Sequence, residues 1–143
     1  MYQVNVEKIE EHLSYLEQVL VDIAPKVKEG AGAPADSLTV LALERALHIA
    51  LETIADVGNY LIDGFIMRDP GSYEDIVDIL EDERVVDQEM AAGLKTVVTM
   101  RKKLVTNYTS VDKQEVFALL AAQFSHLEQF PVRVRDYLKQ ELY

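Results

Sequence analysis

The stretch Val6-Glu7-Lys8-Ile9-Glu10-Glu11-His12-Leu13-Ser14-Tyr15-Leu16-Glu17-Gln18-Val19-Leu20-Val21-Asp22-Ile23-Ala24-Pro25-Lys26-Val27 decides the fold class. Val6, Ile9, Leu13, Leu16, Leu20, Ile23 and Val27 recur at three- and four-residue spacing. That period lines one face of an α-helix, whereas a strand would need alternation at every second residue. Pro25 falls inside the pattern and is expected to kink or end the helix, because it has no amide hydrogen to donate and crowds the preceding turn. Just beyond it, Gly30-Ala31-Gly32-Ala33-Pro34 reads as a loop short enough to join antiparallel helices.

The same period continues along the chain. Asp36 or Ser37 can cap a second helix that runs to about Phe65, with Leu43, Leu47, Ala50, Ile54, Val57 and Leu61 on its apolar face. Asp69-Pro70-Gly71 is a turn, and Ser72-x-x-Asp75 opens a short third helix ending near Glu83. Asp87 can cap a fourth helix carrying Leu94, Val97, Val98, Met100, Leu104 and Val105. Thr106 to Val111 reads as a break. Asp112-x-x-Glu115 then opens a fifth helix with Val116, Leu120, Phe124 and Leu127 on one face, and Pro131 is expected to kink it. Glycine is sparse and no internal repeat appears. The expected fold is all-α, an antiparallel up-and-down bundle of about five helices, with residues 1–143 forming one domain.

Composition narrows the function classes. Hydrophobic residues make up 49% and charged residues 27%, an ordinary globular balance. Cysteine is absent, which excludes disulfides, thiolate metal sites and thiol nucleophiles. No apolar run approaches the roughly 18 residues needed to span a membrane, and Met1 to Glu11 is too polar for a signal peptide. The expected location is cytoplasmic, with no membrane partner. The net charge of −11 opposes nonspecific binding to nucleic acid. Its distribution is uneven, however. Ser72 to Glu89 holds eight acids and one base, Arg84, whereas Met90 to Val111 holds no acid but carries Lys95, Arg101, Lys102 and Lys103. An acid-free cationic stretch in an acidic chain is a candidate anion site. Cations near a helix C-terminus also favour the dipole without any ligand.

The second helix carries a polar stripe beside its apolar face: Arg45, His48, Glu52, Asp56, Asn59 and Asp63, at three- and four-residue spacing. Glu44 and His48, and Glu52 and Asp56, are also four apart. A solvated face reads this way, and so does the wall of a cleft or a polar seam in a homodimer. Arg45 and Glu52 are too far apart to pair along the helix, so each is open to a partner on another helix. Metal chemistry has little support. A di-iron bundle needs Glu-x-x-His on two helices, and none is present. His12, His48 and His126 could in principle hold zinc, but in a simple hairpin His12 and His48 sit at different heights. Neither metal nor other cofactor is expected.

The chemistry-bearing segment is Arg101-Lys102-Lys103-Leu104-Val105-Thr106-Asn107-Tyr108. On a continuing helix, residues seven apart return to nearly one face, so Arg101 and Tyr108 would point together. A guanidinium holds a phosphate through two donors, and a phenol can hydrogen-bond or stack beside it. The alternative is structural: Arg101 pairs with Glu52 or Asp56 across the bundle and Tyr108 packs.

The chain resembles the HepT-like branch of the HEPN domains, ribonuclease toxins encoded beside a minimal nucleotidyltransferase antitoxin. The resemblance runs through Glu44-Arg45-Ala46-Leu47-His48-Ile49-Ala50 to Asp56 and through Pro70-Gly71-Ser72-Tyr73-Glu74. It continues through Leu94, Met100, Arg101 and Leu104-Val105 to Tyr108, and ends at Val111-Asp112. The family motif is Arg, four residues, His, one residue, Tyr; Arg101 and Tyr108 match its spacing. The resemblance implies metal-independent RNA cleavage by attack of a ribose 2′-hydroxyl on the adjacent phosphate. It implies a homodimer with the motif in a cleft near the subunit interface, and a nucleotidyltransferase partner that adenylylates the motif tyrosine, here Tyr108. Thr106 stands where the family has its catalytic histidine. Histidine titrates near neutral pH and threonine does not, so the activity implied is attenuated. Arg101 can still stabilise charge on the phosphate, and His48 is a candidate replacement if the polar stripe faces Arg101. Two other functions are open on the residues. One is a non-catalytic homodimer binding RNA, a nucleotide or the nucleotidyltransferase; the other is a metal-dependent bundle using the three histidines.

Overall fold

The computed structural model describes residues 2–29, 32–34 and 36–143. Its helices are α1 (Val6–Val27), α2 (Ser37–Gly64), α3 (Tyr73–Asp82), α4 (Gln88–Val98) and α5 (Lys113–Leu142), with no strand among the described residues. The all-α bundle of five helices is the fold expected from the periodicity. Gly30 and Ala31 of the expected first loop lie outside the described residues.

Short polar side chains begin each helix. Asn5, Asp36, Ser72, Asp87 and Asp112 each accept a hydrogen bond from a free backbone amide of the first turn. Such caps contribute about 1 kcal/mol apiece. The stops are less usual. α2 and α3 both end with a left-handed residue, Ile66 at φ 57° and Arg84 at φ 63°. The next amides, those of Met67 and Val85, fold back to the Ile62 and Leu80 carbonyls at 2.9 and 2.8 Å. This is the Schellman closure, which glycine normally supplies. α5 runs on through Pro131 to Leu142, so the proline does not end it. Pro25 lies within the last turn of α1.

α2 is the central element and packs against α1, α3, α4 and α5. That explains why it is buried beyond a single stripe, with Ala46, Leu51, Ala55 and Ile62 buried alongside the expected Leu43, Leu47, Ala50, Ile54, Val57 and Leu61. The main core joins the inner faces of α1, α2, α4 and α5 around Leu13, Leu47, Leu94, Leu120 and Phe130. Truncating a fully buried phenylalanine such as Phe130 to alanine costs about 3–5 kcal/mol. α3 seats Ile76 and Ile79 against Ala55 and Ile62 of α2. Gly58 permits that approach, since a Cβ there would collide with Ile76 Cγ2. No helix among the described residues is long and apolar enough to cross a membrane.

The chain after α4 departs from the expected continuous helix. α4 ends at Val98, Lys102–Thr106 form a π-helical turn closed by the Asn107 amide on the Lys102 carbonyl at 2.9 Å, and Tyr108–Ser110 form a 3-10 turn. The seven-residue return that would bring Arg101 and Tyr108 together belongs to the α-helix. A π turn closes over five residues instead of four and breaks it.

Candidate functional site

The α2 stripe and the post-α4 turn meet around one carboxylate. Glu52, half-buried on α2, accepts from Arg101 Nε at 3.1 Å through Oε1 and from the Tyr73 hydroxyl at 3.2 Å through Oε2. The Arg101 guanidinium carbon lies 4.9 Å from the centre of the Tyr73 ring, within cation–π range. His48 Nε2 lies 3.7 Å from the same Glu52 oxygen. The polar stripe therefore faces Arg101, and His48 shares its carboxylate neighbour. The ion pair allowed by residue types alone, Arg101 with Glu52 across the bundle, is formed.

Along α2 the four-residue neighbour that His48 faces is Glu52 rather than Glu44. His48 Nδ1 lies 3.3 Å from Arg45 Nη1, and Glu44 is not its partner. Arginine can only donate, so His48 Nδ1 must accept, and its proton, when neutral, sits on Nε2 facing Glu52. Glu52 and Asp56 carry like charge, and Asp56 turns to α1, 3.5 Å from His12 Nε2. Burial holds the Asp56 carboxyl above its ordinary range, a rise that His12 opposes and Glu52 reinforces. Burial likewise raises the Tyr73 phenol, with the Glu52 charge adding to the effect. The hydrogen bond to Glu52 keeps Arg101 charged beyond its already high value. Asn59 and Asp63 are exposed and continue the stripe toward its far end.

Two shallow hollows flank this junction. One, about 460 Å³, is lined by Ser72, Tyr73, Glu74, Val98, Thr99, Arg101, Lys102 and Thr106. The other, about 270 Å³, is lined by Leu41, Glu44, Arg45, His48, Leu104 and Tyr108. Arg101 and Thr106 thus share one hollow while Tyr108, a residue 69% exposed, lines the other. The acid-free cationic stretch is also sorted. Lys95 is tied to Asp78 at 2.7 Å and Lys103 to Glu115, while Lys102 has no ion pair among the described residues. The usable cations at the site are Arg101 and Lys102, with Arg45 across α2.

The three histidines do not converge. His12 faces Asp56, His48 faces Glu52, and His126 bonds Gln123 at 2.7 Å and approaches Glu89. His48 and Asp56 are eight residues apart on α2, so they are separated by about 12 Å of helix. Among the described residues no cluster of three or more metal-ligating side chains forms. Sequence reasoning missed Tyr73 as a member of the site. It opens a short helix, where an aromatic residue has no period to mark it, and only the fold brings it onto Glu52.

A model of the ribonuclease HepT-like family matches residues 5–134. The Bacillus subtilis protein named "Putative RNase YutE" is 43% identical over 144 aligned residues, covering 99% of this chain and 95% of that protein. Its solved structure, described as that of a cytosolic protein, superposes with a TM-score of 0.90 at 42% identity, covering 99% of this chain and 96% of that chain. An Archaeoglobus fulgidus protein named "Putative RNase" is 28% identical, over 94% of this chain and 96% of its own length. The fold also recurs in a tri-AMPylated Shewanella oneidensis HEPN toxin solved in complex with MNT antitoxin. There the TM-score is 0.77 and the identity 19%, covering 90% of this chain and 96% of that chain. With the family model covering nearly all of its length, and YutE close in both sequence and fold, this chain belongs to the ribonuclease HepT-like family.

Proposed function

We propose that this chain is the toxin-side member of a toxin–antitoxin pair, a metal-independent endoribonuclease whose acid–base step is weakened. The observation that carries the reading is the setting of Arg101. It stands first in the family motif, heads the π turn beside Lys102 and Thr106, and is held at its Nε by Glu52 over the Tyr73 ring. In the reaction, a ribose 2′-oxygen bonds to the neighbouring phosphorus as the bond to the 5′-oxygen breaks. The 2′-hydroxyl gives up its proton and the 5′-oxygen gains one, leaving a 2′,3′-cyclic phosphate and a 5′-hydroxyl. Arg101 stabilises the negative charge that builds on the phosphate oxygens. The Thr106 hydroxyl does not titrate near neutral pH, so both transfers fall to water or to another group. A positioned acid–base residue typically contributes about 10²–10⁴ in rate, and that is the deficit assigned to Thr106.

Tyr108 is the proposed acceptor for adenylylation by a nucleotidyltransferase antitoxin, supported by its exposed phenol at the last position of the motif. A homodimer is proposed as the working unit. Leu41 lines the Tyr108 hollow and Leu38 stands one turn away on α2; both are exposed apolar side chains that a second subunit can cover. The proposed location is the cytoplasm, in keeping with the description of YutE as cytosolic. Thr106 also favours a second reading, a non-catalytic protein that binds RNA or the antitoxin through Arg101 and Tyr108. Incubating the purified chain with single-stranded RNA in EDTA, beside Arg101→Ala, tests the first reading. Cleavage lost in Arg101→Ala supports it. Binding without cleavage selects the second.

A further inference from the structure

We propose that Glu52 is the positioning residue of this site, holding Arg101 by its Nε so that both terminal nitrogens stay free for a phosphate. The inference rests on the phosphate-clamp reading of Arg101. A guanidinium has five N–H donors, and a carboxylate usually takes two at once through a forked contact. Arg68 shows the usual form in this same molecule: its Nη1 and Nη2 bond both oxygens of Asp75 at 2.8 and 2.7 Å. Arg101 is bound differently. Only Nε reaches Glu52, at 3.1 Å, the one other group holding the guanidinium is the Tyr73 hydroxyl, and among the described residues no carboxylate takes the fork of the two Nη. The Tyr73 ring under the guanidinium fixes its plane, and the Tyr73 hydroxyl on Glu52 fixes the carboxylate. The unused fork is the part of arginine that matches a phosphate. The same Glu52 oxygen lies 3.7 Å from His48 Nε2, so one carboxylate stands between residues that line the two hollows.

Positioning and competition are opposite roles for a carboxylate beside an anion site, and they separate experimentally. If Glu52 positions Arg101, an arriving phosphate takes the Nη groups and leaves the Nε–H bond in place. If Glu52 merely neutralises Arg101, the phosphate must displace it. The test is ¹⁵N-edited NMR of the arginine Nε–H signals of the full chain, with Arg101 assigned by its disappearance in Arg101→Lys. The probe is a short single-stranded 2′-O-methyl oligoribonucleotide, which cannot be cleaved.

The expected result is a dispersed Arg101 Nε–H signal that persists as the Arg101 Nη and Lys102 signals shift. It is retained in Glu52→Gln, which keeps an accepting oxygen, and lost to exchange in Glu52→Ala at unchanged melting temperature. In kinetics the same split appears. Glu52→Ala lowers kcat by about 10²-fold, the scale of a misplaced catalytic group, while KM falls because a repelling charge is gone; Glu52→Gln restores kcat. Collapse of the Nε–H signal to the free-arginine position on adding the oligonucleotide overturns positioning while leaving Arg101 a phosphate clamp. No shift at Arg101 or Lys102 in the folded protein overturns the clamp itself, and the inference with it.

Discussion

On the proposed function, Thr106→His restores the family motif and should convert a slow ribonuclease into a fast one. Thr106 closes the π turn, is exposed, and makes no side-chain hydrogen bond among the described residues. It shares a hollow with Arg101 and Lys102, so an imidazole there enters open space and displaces nothing. Surface changes of this kind alter stability by no more than about 0.5 kcal/mol. An imidazole near the phosphate held by Arg101 supplies the missing proton transfer, worth about 10²–10⁴ in rate. At about 1.4 kcal/mol per tenfold, that lowers the barrier by about 3–6 kcal/mol. The assay is cleavage of end-labelled RNA in EDTA across pH 5–9. The variant should gain a rate limb centred near the imidazole range of about 6.5, absent from the unmodified chain. The gain should vanish in Thr106→His with Arg101→Ala, because the proton step is useful only on a bound phosphate. A folded Thr106→His protein that cleaves no faster than the unmodified chain refutes the reasoning, and shows that more than one residue of the activity has been lost.

Four further expectations follow from particular contacts. Incubation with the cognate nucleotidyltransferase and ATP should add nucleotidyl mass to the chain, seen by intact mass spectrometry, and Tyr108→Phe should abolish it; modification elsewhere would contradict the role of Tyr108. Gly58→Ala gains about 1 kcal/mol of helix propensity but overpacks the α2–α3 contact at Ile76, at about 1–3 kcal/mol. Urea melts should show net destabilisation of about 1 kcal/mol, with weaker RNA binding because Tyr73 rides on α3. Ile66→Gly should stabilise by about 1 kcal/mol, since a left-handed β-branched residue at a helix end carries a steric cost that glycine lacks; an unchanged melting temperature would show that the turn is not strained. The Arg68 guanidinium, helped by the Gly71 amide, holds the Asp75 carboxyl down from 3.8 to about 2. A depressed carboxylate stabilises the fold above its unfolded value and loses that contribution as pH falls through its folded value. Acid melts should therefore lose stability between about pH 4 and 2, and Asp75→Asn should flatten that part of the curve.

The helices were legible in the chain because their signals are local. The apolar period and the capping side chains Asp36, Ser72, Asp87 and Asp112 lie within a turn of the ends they mark, and each cap is made. The end of α4 was not legible. Leu104 and Val105 extend the apolar period, and no proline or glycine interrupts residues 99–106. The choice between α and π closure there depends on packing beyond the segment. The polar stripe could be read, but the partners of its members could not. Glu52 is a repeat of Glu44 and Asp56 in type and spacing, and only tertiary placement sets Tyr73 and Arg101 upon it. Within the motif, Arg101, Thr106 and Tyr108 could be located by count, yet the two hollows into which the turn divides them could not.

In the proposed reaction Arg101 acts upon a phosphodiester in a metal-free transesterification. The most direct measurement is the chemistry of the RNA ends produced by the unmodified chain in EDTA. The ends expected are 2′,3′-cyclic phosphate and 5′-hydroxyl, formed slowly and lost in Arg101→Ala. Ends bearing 3′-hydroxyl and 5′-phosphate, cleavage that requires added metal, or cleavage untouched by Arg101→Ala would contradict that reaction.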